Sequence, residues 1–352
     1  MARLLLQYFV CNKELAFFVA ERIGDKRMLE ILLQLGLMVL GFVMLIKGAD
    51  WFVDGAAGVA TKLRIPQLII GLTIVAMGTS APEAAVSISS ALKGNAEAAN
   101  AGAAAASVAD ITIGNVLGSN LLNILIILGL TATIISIKVA ESTVRYEIPY
   151  LIIISVVLLG LGYTDNKITL TEGVILWALF IVYCVYLFVM AKKNMNNSEE
   201  EVKVKPVWQL LLFIVIGVAM IVFGSDFAVD GATGIAQKLG ISERIIGLTI
   251  VALGTSLPEL VTSVTAAKKG NADIAIGNIV GSNIFNILFV VGTTALITPV
   301  AFAPKFVIDA FICIGATVLL WLGVVRKKKL TRALGITMLV CYAGYFVYLL
   351  VG

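Results

Sequence analysis

Residues 48–95 read GADWFVDGAAGVATKLRIPQLIIGLTIVAMGTSAPEAAVSISSALKGN, and residues 224–271 read GSDFAVDGATGIAQKLGISERIIGLTIVALGTSLPELVTSVTAAKKGN. Roughly 60% of the aligned positions are identical, and self-similarity of this kind marks a duplicated structural unit. The match resumes further along, where ADITIGNVLGSNLLNI at 109–124 pairs with ADIAIGNIVGSNIFNI at 272–287. Only the first copy carries an Ala-rich insert at 96–108, AEAANAGAAAASV, expected to lengthen a loop or a helix end. The identities concentrate on polar residues, Gly and Pro. Duplication for packing alone would preserve apolar positions instead.

Outward from these blocks, ten apolar runs fill the chain: 29–52, 67–92, 109–135, 147–163, 169–191, 206–228, 242–267, 273–298, 304–325 and 330–351. Most have the roughly 20 residues needed to cross a bilayer. The fourth is short, and the first and sixth are expected to continue to about Lys62 and Lys238. Glycines beside polar residues inside the runs suggest helices broken in mid-membrane. Of the 352 residues, 60% are hydrophobic and 14% charged, against about 25% charged in a soluble domain. An ordinary soluble enzyme, a disordered chain and a disulfide scaffold are thereby excluded. Cys11, Cys184, Cys313 and Cys341 have no metal-finger spacing, and with no His there is no imidazole base or ligand. No nucleophile–base pair or cofactor loop points to an enzyme. A net charge of +4 gives no sign of nucleic-acid binding.

Five spans separate equivalent points of the two copies, and an odd number of crossings turns the second copy upside down. The expected fold is an all-α polytopic membrane protein of ten transmembrane helices, arranged as two inverted five-helix repeats. Its parts are a tail or surface helix (1–28), a first repeat (29–191), a hydrophilic linker (192–205) and a second repeat (206–352). Loop charge sets orientation. Lys62, Arg64, Lys138, Arg145, the linker lysines, Lys268, Lys269 and Arg326–Lys329 gather on one side, expected to be cytoplasmic. Both termini are then outside the cell membrane.

Glu83 and Glu259 follow Gly-Thr-Ser-x-Pro inside apolar runs. A charge at mid-bilayer costs about 2.5–3.5 kcal/mol even on lenient scales, so a symmetric pair calls for a compensating cation or proton. Thr79, Ser80, Thr255 and Ser256 add hydroxyls within one turn. Pro82 and Pro258 free a carbonyl about four residues earlier, at Gly78 or Gly254, beside Ala76 and Ala252. Carboxylates with neutral oxygens suit a hard cation taking about 6–8 oxygen ligands, such as Ca²⁺. The second block supplies Asn115, Ser119, Asn120 and Asn123, then Asn278, Ser282, Asn283 and Asn286. Ser119 and Asn123 share a helix face, as do Ser282 and Asn286, with Gly118 and Gly281 permitting close approach. Ion binding is the preferred reading for Ser119 and Ser282. For Asn120 and Asn283, ion binding and interhelical hydrogen bonding stand level. Asp50, Asp54, Asp226 and Asp230 read better as solvated or capping carboxylates than as vestibule ligands, and Asp110 and Asp273 as N-terminal helix charges.

These residues resemble the sodium/calcium exchanger branch of the calcium:cation antiporters, prokaryotic type. GTSAPE and GTSLPE are similar to that family's repeat signature, over about residues 29–352. The resemblance implies electrogenic exchange of Na⁺ for Ca²⁺ by alternating access; separately, the composition makes the lipid bilayer the surroundings, no resident cofactor is expected, and a monomer is the expected state. It implies that Glu83 and Glu259 bind Ca²⁺ with the carbonyls of Thr79 and Thr255. It further implies that Ser80, Ser119, Ser256 and Ser282 serve Na⁺ with the carbonyls of Ala76 and Ala252 nearby, and that Asn123 lies in the central site. Asn286 departs from the pattern, since many such exchangers have Asp there. That leaves Ca²⁺/H⁺ or K⁺-dependent exchange as an alternative. A passive channel and a membrane scaffold are the remaining rivals.

Overall fold

In this computed structural model the residues described are 26–101, 105–195, 205–240 and 252–351. The tail at 1–25, part of the Ala-rich insert, most of the linker and residues 241–251 lie outside them. The helices are α1 (Lys26–Leu63), α2 (Gln67–Thr79), α3 (Ala81–Ala101), α4 (crossing over Thr112–Ile134), α5 (Thr143–Asp165) and α6 (Leu170–Met195). They continue with α7 (Val207–Lys238), α8 (Ala252–Thr255), α9 (Leu257–Lys268), α10 (Ala272–Ile297), α11 (Lys305–Val325) and α12 (Arg332–Val351). Among the described residues eight helices are long and apolar enough to span a membrane, and α2 with α3 makes a ninth as one bent span. The tenth expected run, 242–267, falls partly on residues outside the description.

α1 runs to Leu63 and α7 to Lys238, as the extended alternative had it. α5 starts at Thr143, four residues before the expected 147, because a π-helical turn over Thr143–Glu147 carries the helix through a charged segment. The Ala-rich insert lengthens helix ends: α3 runs to Ala101, and the helix leading into α4 begins at Ala105.

α1 and α7 pack along nearly their whole length. Gly41, Gly48 and Gly55 recur at every seventh residue of α1, as do Gly217, Gly224 and Gly231 of α7. Gly41 meets Gly224 and Ala228, Gly48 meets Gly217 and Ile221, and Gly55 meets Leu210 and Ile214. Rising numbers on one helix face falling numbers on the other, so these equivalent helices run antiparallel. A Cβ added at any of the six glycines would come within 2.4 to 2.8 Å of the facing helix. Small residues allow such backbone-to-backbone packing where no hydrophobic force drives helices together.

Short ribbons tie the helix ends. β1 (Ile137–Lys138) pairs antiparallel with β4 (Lys329–Leu330), and β2 (Lys167–Ile168) with β3 (Val300–Ala301). β1 and β3 occupy equivalent places in the two copies, as do β2 and β4, so the two pairings exchange under a twofold operation. Near the first ribbon, Glu141 joins Arg145 (3.4 Å) and Lys328 (2.9 Å). The hydrogen bond and charge of Lys328 hold the Glu141 carboxyl below its ordinary range.

α4 and α10 form the centre, and α10 is almost wholly buried. Outward-facing Phe188, Val215, Phe311 and Val340 are each more than half exposed. An apolar periphery around a buried centre that holds polar side chains is what lipid as the surrounding solvent selects.

Candidate cation site

α2 ends and α3 begins within the bundle because Pro82 lacks an N–H and its ring displaces the preceding carbonyl. Ser80 sits at the break with φ −83° and ψ 7°, and Ser256 repeats this with φ −96° and ψ 4°. The two helices are bent by 50°. Each break sets the carbonyl end of one short helix against the first turn of the next, and Glu83 and Glu259 lie in those first turns. A helix N-terminus favours a negative charge, while the carbonyl end beside it favours a cation.

Both acids are buried, Glu83 at 1% exposure and Glu259 at 0%. Ser80 Oγ of the first copy donates to Glu259 Oε1 of the second at 2.9 Å. Among the described residues, Glu259 Oε2 and both carboxylate oxygens of Glu83 accept no hydrogen bond. Ser119 stands near Glu83, and Glu259 is close enough to act on it electrostatically. The acids therefore converge, with most of their acceptor capacity unused.

The break of the first copy faces the second block of the other. Thr79 Oγ1 donates to Asn278 Oδ1 at 2.9 Å and lies 3.5 Å from Ser282 Oγ. Ser282 Oγ donates to the carbonyl of Ala76 at 3.3 Å. Gly281 permits this approach: a Cβ there would lie 2.8 Å from the backbone of Leu72. At Gly118, the equivalent position, nothing among the described residues lies within 4 Å, and Leu248, the counterpart of Leu72, lies outside them. On the matching side Ser256 is buried with an unpartnered hydroxyl, Thr255 is half-buried, and Ala252 opens α8.

Four asparagines close the centre. Asn120 Nδ2 donates to the Asn283 carbonyl at 3.3 Å, and Asn283 Nδ2 returns the bond to the Asn120 carbonyl at 3.2 Å. Asn123 Nδ2 donates to Asn283 Oδ1 at 2.9 Å, and Asn286 Nδ2 to Asn120 Oδ1 at 3.2 Å. Each bond has its twin across the pseudo-twofold. Asn120 and Asn283, open between two readings from sequence, thus use their amides to join the halves. Asn123 and Asn286 keep buried, unpartnered Oδ1 atoms. Both residues sit where α4 and α10 widen into π-helical turns, over Leu122–Leu128 and Asn286–Val291, a deviation frequent at functional sites. Asn283→Leu removes two of these bonds and is expected to destabilise the protein by about 1–3 kcal/mol, read as a lowered melting temperature.

Two expectations need correction. The carbonyl freed at Gly254 is taken by Ser225 Oγ at 2.7 Å; the first copy has Ala49 at that place. Asp50 and Asp54 are held by Lys269, at 3.3 and 2.8 Å, so they are ion-paired rather than merely solvated. Asp273 lies in the first turn of α10 as expected. The side chain of Asp110 is outside the described residues.

Ser87 and Ser263 were missed. Asn115 Nδ2 donates to the Glu83 carbonyl at 3.3 Å and to Ser87 Oγ at 3.2 Å. Asn278 Nδ2 does the same to the Glu259 carbonyl at 3.4 Å and to Ser263 Oγ at 2.9 Å. Each Asn thereby fixes the turn that bears the acid. The signal was available, because both serines fall four residues after the glutamates at an identical repeat position. Among the described residues no group of three or more Cys, Asp or Glu side chains converges as a metal cluster. Two carboxylates with hydroxyl, amide and carbonyl oxygens make a hard-cation donor set with few fixed charges, suited to a cation that must also leave.

The sequence profile of the family described as "Sodium/calcium exchanger protein" matches residues 33–189 and 209–351. Among curated relatives, CaxA of Alkalimonas amylolytica is 39% identical over 322 residues, covering 88% of this chain and 96% of its own length. The sodium/calcium exchanger MaX1 of Methanosarcina acetivorans is 30% identical, covering 89% and 97%. A solved structure of the sodium-calcium exchanger NCX_Mj, soaked with Na⁺ and Sr²⁺, is similar with a TM-score of 0.74 and 31% identity, covering 89% of this chain and 97% of that one.

Proposed function

The chain belongs to the sodium/calcium exchanger family of multi-pass membrane transporters, and on that premise we propose that it exchanges Na⁺ for Ca²⁺ across the cell membrane by alternating access. The observation that carries this reading is the convergence of Glu83 and Glu259 from opposite halves, linked by Ser80 and with three unpartnered carboxylate oxygens. Two carboxylates neutralise one Ca²⁺. Thr79 and Thr255 complete that site through backbone carbonyls. Ser80, Ser119, Ser256, Ser282 and the carbonyls of Ala76 and Ala252 serve Na⁺ in overlapping positions, with Asn123 and Asn286 offering amide oxygens at the centre.

Coupling follows from charge. An empty site leaves two bare carboxylates in apolar surroundings, whereas an occupied one is near neutrality. A conformational change that exposes apolar walls to the site therefore proceeds far more readily when loaded, and one flux drives the other. The moving part in this reading is the α1–α7 pair, held together along its glycine seam and sliding across the remaining bundle. The halves run over 29–191 and 206–352, with the linker and the basic loop ends in the cytoplasm and both termini outside.

The test is isotopic Ca²⁺ uptake into proteoliposomes with Na⁺, K⁺ and H⁺ gradients imposed separately. An outward Na⁺ gradient alone is expected to drive accumulation. Accumulation driven equally by a proton gradient, or dependent on K⁺, contradicts the Na⁺/Ca²⁺ assignment. Uptake that persists with no counter-ion identifies a channel.

A further inference from the structure

Apart from the ion site, the first half holds a second polar arrangement. Between α5 and α6 lies a cavity of about 350 Å³, lined among others by Arg145, Tyr146, Glu147, Tyr150, Tyr183 and Tyr186. Tyr150 and Tyr183 stack at 5.7 Å, Tyr183 and Tyr186 at 6.5 Å, and Tyr146 leans on Tyr186 at 6.2 Å. Glu147 is 1% exposed. Tyr186 OH donates to its Oε1, and the hydroxyls of Thr143 and Ser142 lie beside the carboxyl as hydrogen-bonding neighbours. Among the described residues its Oε2 nevertheless has no hydrogen bond of good geometry, and neither has the buried Tyr183 hydroxyl. Among the described residues Glu147 has no ion pair.

The carboxylate–tyrosine bond itself is a structural pin, since the second half repeats it: Tyr345 OH donates to Asp309 Oδ1 at 3.0 Å between α12 and α11. What differs is the compensation. Asp309 has Lys305 acting on it and is only half-buried, whereas Glu147 stands buried in the cavity wall with an orphaned oxygen. We propose that this cavity binds the primary ammonium of a phosphatidylethanolamine-type lipid headgroup.

Three features select that ligand. Aromatic faces around a buried carboxylate recognise an organic cation. The two orphaned oxygens, Glu147 Oε2 and Tyr183 OH, both accept hydrogen bonds, and a primary ammonium offers three N–H donors where a trimethylammonium offers none. The cavity also opens toward lipid, since Tyr146, Ile153 and Val182 on its wall are 56%, 59% and 60% exposed. Glu147 lies about 9 Å along the helix from Glu141, six residues earlier. Glu141 and its partners Arg145 and Lys328 mark the aqueous end. That depth is the boundary between headgroups and acyl chains. Arg145 lines the rim and meets the lipid phosphate, while the acyl chains lie along Ile153 and Val182.

Delipidated protein is incubated with phosphatidylethanolamine, phosphatidylcholine or phosphatidylglycerol of identical acyl chains, or with free ethanolamine, and bound molecules are counted by native mass spectrometry. Phosphatidylethanolamine is expected to be retained about tenfold more than the other two lipids. Glu147→Gln removes that preference, and Asp309→Asn, which perturbs only the pin of the other half, leaves it intact. Tyr183→Phe keeps the ring but removes the orphaned hydroxyl, and is expected to reduce the preference about threefold; it also serves should Glu147→Gln fail to fold. Equal retention of phosphatidylglycerol, a preference that survives both variants, or equal occupancy by free ethanolamine overturns the proposal. The readout is independent of ion exchange.

Discussion

Glu259→Gln is expected to abolish Ca²⁺ exchange and to weaken Ca²⁺ binding by about 10²–10³-fold. The substituted side chain has nearly the same shape, and its amide oxygen still accepts the hydroxyl of Ser80, which lies 2.9 Å from Glu259 Oε1. What disappears is one of two negative charges in a site shielded from water, with both acids at 1% exposure or less. A divalent ion there is left with one uncompensated positive charge. Removing one member of a buried charge pair costs about 3–5 kcal/mol, and the lower half of that span converts to that range of affinity. Binding of Na⁺ is expected to suffer less, because one carboxylate suffices to balance it. Glu83→Gln is expected to behave alike. Glu172→Gln, in the first turn of α6 where it caps Thr169, serves as control and is expected to leave exchange unchanged. Calorimetric titration with Ca²⁺ and isotopic uptake read the two effects. Retention of Ca²⁺ affinity within threefold by either variant would show that the two acids do not share the ion.

Gly217→Leu is expected to reduce exchange at least tenfold while equilibrium Ca²⁺ binding stays within about threefold. A Cβ on Gly217 would stand 2.7 Å from the backbone nitrogen of Phe52 and 2.8 Å from the carbonyl oxygen of Gly48. Backbone atoms cannot rotate out of the way, so α1 and α7 must separate or lose their register. Overpacking of this kind costs about 1–3 kcal/mol, and a pair so distorted no longer fits the remaining bundle in both of its positions. The ion site draws its side chains from other helices, so binding is spared. Gly36→Leu, on the facing helix α1 with nothing among the described residues within 4 Å of its added Cβ, is expected to be silent. Loss of binding together with transport in Gly217→Leu would mean that the seam holds the site together rather than letting the halves slide.

Much of the site was legible because duplication exposes it. A lone Glu83 in an apolar run has several readings, but Glu83 and Glu259 in matching Thr-Ser-x-Pro-Glu frames can be reconciled only by placing both in one polar interior. The antiparallel α1–α7 pair and the exchanged ribbons agree with the odd count of spans between copies. Less legible was the division of labour among the polar residues. Asn115, Asn120, Asn123 and their three counterparts look alike in sequence, yet two fix the acid-bearing turns, two join the halves through their backbones, and two keep an oxygen unpartnered. Ser225, which takes the Gly254 carbonyl, has Ala49 as its counterpart and so could not be found by comparing the copies.

The amino-acid sequence by itself determined that lipid is the surroundings of this chain, that it folds as two copies of opposite sense, and that two acids with hydroxyl neighbours belong to its interior. Those properties follow from local quantities: apolar run length, the parity of crossings, and the cost of burying charge. Only the tertiary structure decided which hydroxyl meets which acid, how closely the long helices approach, and that a tyrosine box with an unsatisfied carboxylate forms between α5 and α6. Hydrogen bonds and ring contacts depend on distances between residues far apart in the chain, such as Ser80 with Glu259 and Tyr186 with Glu147. Periodicity along one helix carries no information about the rotation and depth at which another packs against it.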